Sequence, residues 1–465
     1  MSRKKRRILF FVSIVLFILA LGPVLFYTFG YNLSWKDFTL TSRGGISIVT
    51  QPTSSFVKID TTEKTSSLLG GSVFLQNLKP GPHTVEVWRD GFVPWKKTLT
   101  VKPHFVTEAR VILIPKDPDN TVLTQGTYEE FTASPNASVI ILKEKNESAS
   151  SSLLFYNTAN KIFLSYSGTS TKLIAKKVNA LPSNIIWSED EQSATAELDN
   201  DWVHIRFSER SVEIESIYKQ KPDLRKKFPK KPSLVLPHPG RADNYYILEG
   251  ENLSLWNNTQ SNLNPILNSV AGLKAYSNNL LILDSASGFL YRTTLEGGSP
   301  VPVSLSGIRG STQTIIETSN DSFIIKSNTG LWHLDPKETS PELLAATTSF
   351  STFRTSGANA IWWNPRSIRV RWTIPERDLP SFQTSLLDTA WESGENIKAV
   401  FYYPGEHYLV ILAGETVYVA EFDSRGDSQN VVPMYKGENP SIFVPTRDRV
   451  VYILDKGILT QMNLQ

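Results

Sequence analysis

Three patterns of apolar and polar positions follow one another along this chain. From Ile8 to Phe29 the residues are apolar and uncharged: ILFFVSIVLFILALGPVLFYTF. A helix rises about 1.5 Å per residue, so about 20 such residues match a hydrocarbon core of roughly 30 Å. From Gly45 onward the period falls to two. Gly45-Ile46-Ser47-Ile48-Val49-Thr50 alternates and stops at Pro52, and Phe56-Val57-Lys58-Ile59-Asp60 alternates again. After Lys116-Asp117-Pro118-Asp119-Asn120, a linker by composition, short runs rich in Val, Ile, Tyr, Phe, Thr and Trp recur between Gly, Pro, Asn, Asp and Ser turns. Helix-period segments are nearly missing after residue 29. The expected fold class is all-β behind one N-terminal transmembrane helix.

Arg3, Lys4, Lys5, Arg6 and Arg7 stand directly before the apolar run. By the positive-inside bias they hold residues 1–7 in the cytoplasm as a basic tail and place the remainder outside the cytoplasmic membrane. A cleavable signal would end at Ala20-Leu21-Gly22. Pro23 follows, however, and the apolar run continues, so the segment reads as an uncleaved anchor over 8–29 with a linker over 30–42.

In residues 43–115, Val73-Phe74-Leu75 and Leu78 lead into Lys79-Pro80-Gly81-Pro82, a turn signal. Then Val85 and Val87 alternate with Thr84 and Glu86, and Asp90-Gly91 marks a tight turn before Phe92 and Trp95. Leu75, Leu78, Pro80, Gly81, His83, Val85, Val87, Gly91, Phe92 and Trp95, with Gly45, Ile46, Ile48, Pro52, Val57, Ile59 and Asp60 before them, form an order that resembles the PEGA domain. That resemblance implies a small β-sandwich with a structural or binding role and no catalytic residues.

Residues 116–465 repeat with a period of about 40, the spacing of β-propeller blades. Phe131-Thr132-Ala133-Ser134-Pro135-Asn136 and Ile185-Ile186-Trp187-Ser188-Glu189-Asp190 share an apolar strand, a Ser and an Asn or Asp turn. These look like the turns of TolB-like and WD-repeat propellers. The count of units gives eight blades, with seven as the fallback. The last unit supplies three strands, and Thr121-Val122-Leu123-Thr124 is expected to add its fourth and close the ring.

Composition narrows the chemistry. Lys plus Arg is 48 and Asp plus Glu is 45; setting aside the five N-terminal cations leaves 43 against 45, so no basic field points to nucleic acid. Cys is absent, which excludes disulfides and thiolate metal sites. No G-x-S-x-G elbow occurs and the six His are scattered, so no catalytic, cofactor or metal residue is assigned. Asp117-Pro118-Asp119-Asn120 and Ser188-Glu189-Asp190-Glu191 read as solvated turns rather than Ca²⁺ loops.

Two surface candidates remain. In Ile361 to Trp372, Arg369 and Arg371 alternate with Ile368, Val370 and Trp372, giving a basic face and an apolar face. Trp362, Trp363, Arg366, Arg369 and Arg371 are therefore candidates for stacking on a ligand such as a sugar. In Lys219 to Pro232, a loop between blades, Arg225, Lys226, Lys227, Lys230 and Lys231 are candidates for contact with an anionic surface. The expected function is a non-catalytic, membrane-anchored binding or scaffold protein of the bacterial cell envelope. Its propeller presents a protein- or glycan-binding surface. The alternative is a propeller-type glycan hydrolase or lyase with its site at the channel mouth, which clustered carboxylates of raised pKa would favour.

Overall fold

The computed structural model describes residues 3–28, 31–34, 39–146, 151–219, 222–228, 230–241, 244–257, 260–276, 278–308, 312–317, 321–383, 385–404, 407–427 and 429–464. Phe29, the last residue of the expected anchor, and Gly30 lie outside the described residues, as does part of the 30–42 linker. The chain begins with a 26-residue helix, Arg3–Thr28, followed by a hairpin of Tyr31–Ser34 and Thr39–Ser42. Its described apolar side chains are exposed, among them Phe10 at 64%, Phe17 at 65% and Leu19 at 67%. Among the described residues no helix is long and apolar enough to cross a membrane.

Residues 44–112 form a sandwich of two sheets. One has three strands, with Gly44–Gln51 in the centre, antiparallel to Ser72–Leu78 and parallel to Val106–Ile112. The other has four: Thr62–Thr65, Phe56–Ile59, Gly81–Trp88 and Trp95–Val101. The alternation read from sequence sets the faces. Val85 and Val87 are fully buried, and Ile46, Ile48, Val57, Ile59, Leu99 and Val111 join them in one core.

From residue 128 the chain makes consecutive sheets with strands in sequence order, over 128–163, 183–216, 234–267, 270–307, 312–346, 352–392, 397–436 and 441–463. The last has three strands of its own. Asn120–Gln125 pairs with Ile458–Asn463 as its fourth, Val122 opposite Thr460. That is the expected closure, and the sheets number eight among the described residues. Packing shows the ring independently. Every neighbouring pair of sheets shares a hydrophobic cluster, including one that joins the eighth sheet to the first through Tyr452, Leu454 and Leu459 against Tyr128, Ile140 and Tyr156. Sheets that pack on both sides in a closed circle form a β-propeller.

The second strand of most blades is buried on both faces and reads as an apolar run rather than an alternation; in blade two, Ser193–Leu198 is the exception. Tyr408–Ala413 and Asn359–Trp363 are buried at every position. Two helices depart from the all-strand expectation. Thr169–Ala175 links blades one and two, and Pro222–Lys227 links blades two and three. Near the first, Ser165–Tyr166 leaves blade one and runs parallel to Ser211–Ser216 of blade two, so the fourth strand of blade one is only Ile162–Phe163.

Candidate functional site at the junction of the two modules

The strand Trp95–Val101 alternates Trp95, Lys97, Leu99 and Val101 inward. Three of these are apolar; Lys97 is a cation in a hydrophobic slot, with its side chain 0% exposed. The propeller supplies what it needs. Glu421 and Asp423, at the end of the third strand of blade seven, place carboxylates 2.5 and 3.5 Å from Lys97 Nζ, which also donates to the Asp423 carbonyl. Trp95 Nε1 donates to Glu421 Oε2 at 2.8 Å, and the Asn430 amide groups donate to Glu421 Oε1. Arg425 pairs with Asp423 at 2.8 Å and also donates to the Glu108 carbonyl of the sandwich. Burial works against the charge of Asp423, but Arg425 and Lys97 outweigh it and its carboxyl is lowered. Gly426, at φ 72°, lies so close to Thr98 that a Cβ there would meet the Thr98 carbonyl oxygen at 2.3 Å. Farther along, Ile112 N donates to Tyr408 OH at 3.1 Å, and Ile114 enters the cluster between blades seven and eight.

Beside this cluster lies an open cavity of about 360 Å³. Glu108 and Arg110 of the sandwich line it, with Asp378, Phe382, His407 and Tyr408 of the propeller. Burial and then Arg110 hold the His407 imidazole below its ordinary pKa, and its Nδ1 has no hydrogen-bond partner among the described residues. Burial pushes the Tyr408 phenol well up. The cavity thus sets an imidazole, a phenol and the Arg110 guanidinium among the carboxylates of Glu108, Asp378, Glu421 and Asp423, a setting for holding a polar ligand. Across the described residues every resolved carboxyl shift is downward, at Asp60, Glu86, Asp190, Glu191, Glu197, Glu342, Asp423 and Asp455. Groups held ionised in this way are poor general acids near neutral pH.

The tryptophans singled out from sequence are core residues. Ile361 to Trp372 is a hairpin of blade six, and Trp362 and Trp363, each 3% exposed, point to opposite neighbours. Trp362 packs on blade five and Trp363 on blade seven. Neither ring leaves a face for a sugar, because both sides of a blade are covered. The alternation from Ile368 to Trp372 does hold, with Arg369 exposed. Arg371 pairs with Glu342 of blade five at 2.8 Å, and Arg366, exposed, donates to the Gly394 carbonyl. Hydrogen bonding from His333 leads, burial opposes, and Arg371 adds, bringing the Glu342 carboxyl to about 2.

Within the basic span Pro222–Lys227 is a short helix rather than loop, and Leu224 and Phe228 are buried between blades two and three. Lys227 sits 5.2 Å from the Trp256 ring and donates to the Ser261 carbonyl, and Lys231 pairs with Glu197. Arg225, Lys226, Lys227 and Lys230 are exposed, and Lys231 is half-buried.

The strand–turn motif has a structural purpose that its sequence did not disclose. Glu191, in the blade-two turn, is 4% exposed and reaches into the equivalent turn of blade one. There it accepts from Ser134 Oγ at 2.6 Å, Ser138 Oγ at 2.5 Å and Asn136 N at 2.7 Å. Thr446 of blade eight donates to Asn136 Oδ1 at 2.7 Å, so the turns of three blades are laced together. Among the described residues no group of three or more His, Asp or Glu is placed to hold a metal ion. The junction residues Lys97, Glu421, Asp423 and Arg425 were not legible as a set. The one signal was Lys97 itself, a cation at an inward position of an alternating strand.

No family model matches the chain, and no curated protein matches it. Solved structures, propellers among them, are similar to it at low identity. The Cps50 (Swd1) β-propeller domain of Myceliophteria thermophila is 11% identical, covers 75% of this chain and 100% of its own, and has a TM-score of 0.41. The Dos1 propeller is 11% identical, covers 75% and 95%, and has a TM-score of 0.47. The dihydro-heme d1 dehydrogenase NirN, solved in complex with DHE, is also 11% identical, with 67% of each chain covered and a TM-score of 0.41. The propeller assignment here rests on strand order and the closed ring of clusters.

Proposed function

We propose that this protein is a non-catalytic scaffold whose propeller binds a protein partner while its N-terminal segment tethers it to a membrane. One observation carries the binding reading: an apolar outer edge. Val301–Gly307 is the outermost strand of blade four, and Val301 and Leu305 on it are 62% and 67% exposed. Leu343, on the outermost strand of blade five, is 49% exposed. An outer strand with bare aliphatic side chains fits a protein that adds a strand or an apolar face. The carboxylates held ionised across the molecule favour this reading over the glycan hydrolase or lyase.

The tether reading is supported by the uncharged run to Phe29, the cations before it and the exposed apolar side chains of the helix. The PEGA resemblance is supported by the sandwich core, which uses the positions that carry it. On this reading the sandwich is a rigid spacer between bilayer and propeller, in the envelope of a bacterium. Affinity capture on the full chain in detergent, compared with Leu305→Lys and Val301→Lys, tests the binding surface. One protein recovered in stoichiometric amount by the parent chain and lost from both variants is expected. Equal recovery by all three overturns the assignment of this edge.

A further inference from the structure

We infer that the helix-proximal end of the sandwich docks onto the surface of the lipid bilayer. This rests on the tether reading. The hairpin after the helix is the decisive geometry. Tyr31 pairs with Ser42, so the chain returns to where it left the helix. Three peptide units separate Thr28 from Tyr31, at most about 12 Å. A strand spacing of about 5 Å and one more residue then lead to Arg43. The start of the sandwich is therefore within about 20 Å of the last helical residue. If that helix lies in a bilayer, this end of the sandwich is at headgroup depth.

The surface at that end suits such a position. Gly45 is paired with Val106, and the Phe74 ring lies against it. Phe105 is 66% exposed, Val106 46% and Phe74 44%. These three apolar side chains stand together where the chain arrives. Arg43 and the exposed Lys79 and Lys102 flank them, since Leu78 pairs with Gly44 and His104 N donates to the Arg43 carbonyl. Of the acids near this end, Asp60 is paired with His83 at 2.6 Å and Glu63 stands opposite Lys58 on the neighbouring strand. Aromatic and aliphatic side chains ringed by cations match the boundary between acyl chains and anionic headgroups. The opposite end of the strand Gly44–Gln51, roughly 23 Å away, carries Leu68 and Leu69, 75% and 97% exposed. Greasiness alone would favour those leucines; their distance from the helix makes them an internal control.

Because the chain contains no Cys, one introduced thiol is unique. Full chains carrying Phe105→Cys or Leu69→Cys are labelled with an environment-sensitive fluorophore and reconstituted into vesicles of phosphatidylcholine and phosphatidylglycerol that carry a quencher on the acyl chains. Quenching several-fold stronger for Phe105→Cys than for Leu69→Cys is expected. Equal, weak quenching in chains that resist alkaline extraction overturns the docking and leaves the tether standing. Chains stripped from the vesicles by alkali overturn both.

Discussion

Replacing Lys97 with Met tests what fixes the two modules to one another. Its ammonium is fully buried between Glu421 and Asp423, 2.5 and 3.5 Å away. Met fills a similar volume, so packing is largely kept while Glu421 loses its cation. Glu421 retains Trp95 and Asn430 as donors, and Asp423 retains Arg425. Removing one partner of a buried ion pair costs about 3–5 kcal/mol, because the other charge stays desolvated. Here the molecule has an escape. Lys97 is on the sandwich and Glu421 on the propeller, so parting the modules rehydrates Glu421 without unfolding either one. The cost should therefore appear as opening of the junction. The Ile112 amide, which donates to Tyr408 OH across it, reports that opening directly. A loss of about 3 kcal/mol corresponds to roughly a hundredfold faster hydrogen exchange at Ile112. Amides in the second strand of blade one, remote from the junction, should be unchanged. A change of less than about threefold at Ile112 would refute the idea that this ion cluster governs docking. Lys97→Met combined with Glu421→Leu should recover part of the loss, since the stranded charge is then gone.

Further expectations follow from the same structure. Gly426→Ala should open the junction by another route, through a strained positive φ and the clash with Thr98, and speed Ile112 exchange in the same assay. Glu191→Ala strands the hydroxyls of Ser134 and Ser138 and the amides of Asn136; a loss of about 2–3 kcal/mol in denaturant unfolding is expected, and a change under about 0.5 kcal/mol would argue against the lacing of the turns. Glu342 titrates lower when folded, at about 2, than its ordinary value of 4.5, so its contribution is full above 4.5 and is lost as pH falls toward 2. Its pair is part-exposed and screened, so Glu342→Gln should flatten that acid limb only modestly in melting curves between those values. Trp362→Ala and Trp363→Ala should each cost about 3–5 kcal/mol by calorimetry, the signature of a core ring rather than a ligand platform.

Local chemistry made much of this molecule readable. Alternation at Ile46, Ile48, Val85 and Val87 set the sandwich faces, because side chains alternate sides along any strand. The repeated Ser and Asn or Asp turns marked blade starts, and the spare run at Thr121–Thr124 marked the closing strand, because a three-stranded last unit leaves an edge that must pair. Elsewhere one sequence pattern had two physical causes. Trp with Arg in Ile361 to Trp372 suits a sugar platform equally well as a strand between blades, and only the burial of both tryptophans decides. The basic span after Lys219 looked like a loop because Pro breaks it. Leu224 and Phe228, six residues of helix and the core between blades two and three override that local preference.

The sequence by itself determined the strands, their inward faces and the ring's closure, since these depend on neighbours within a few residues or on a repeated period. The tertiary structure alone decided that Lys97 meets Glu421 and that Glu191 reaches the turn of Ser134. Those partners lie hundreds of residues apart in one case and a full blade in the other. The energy that pairs them depends on desolvation at a packed interface, which no local pattern encodes.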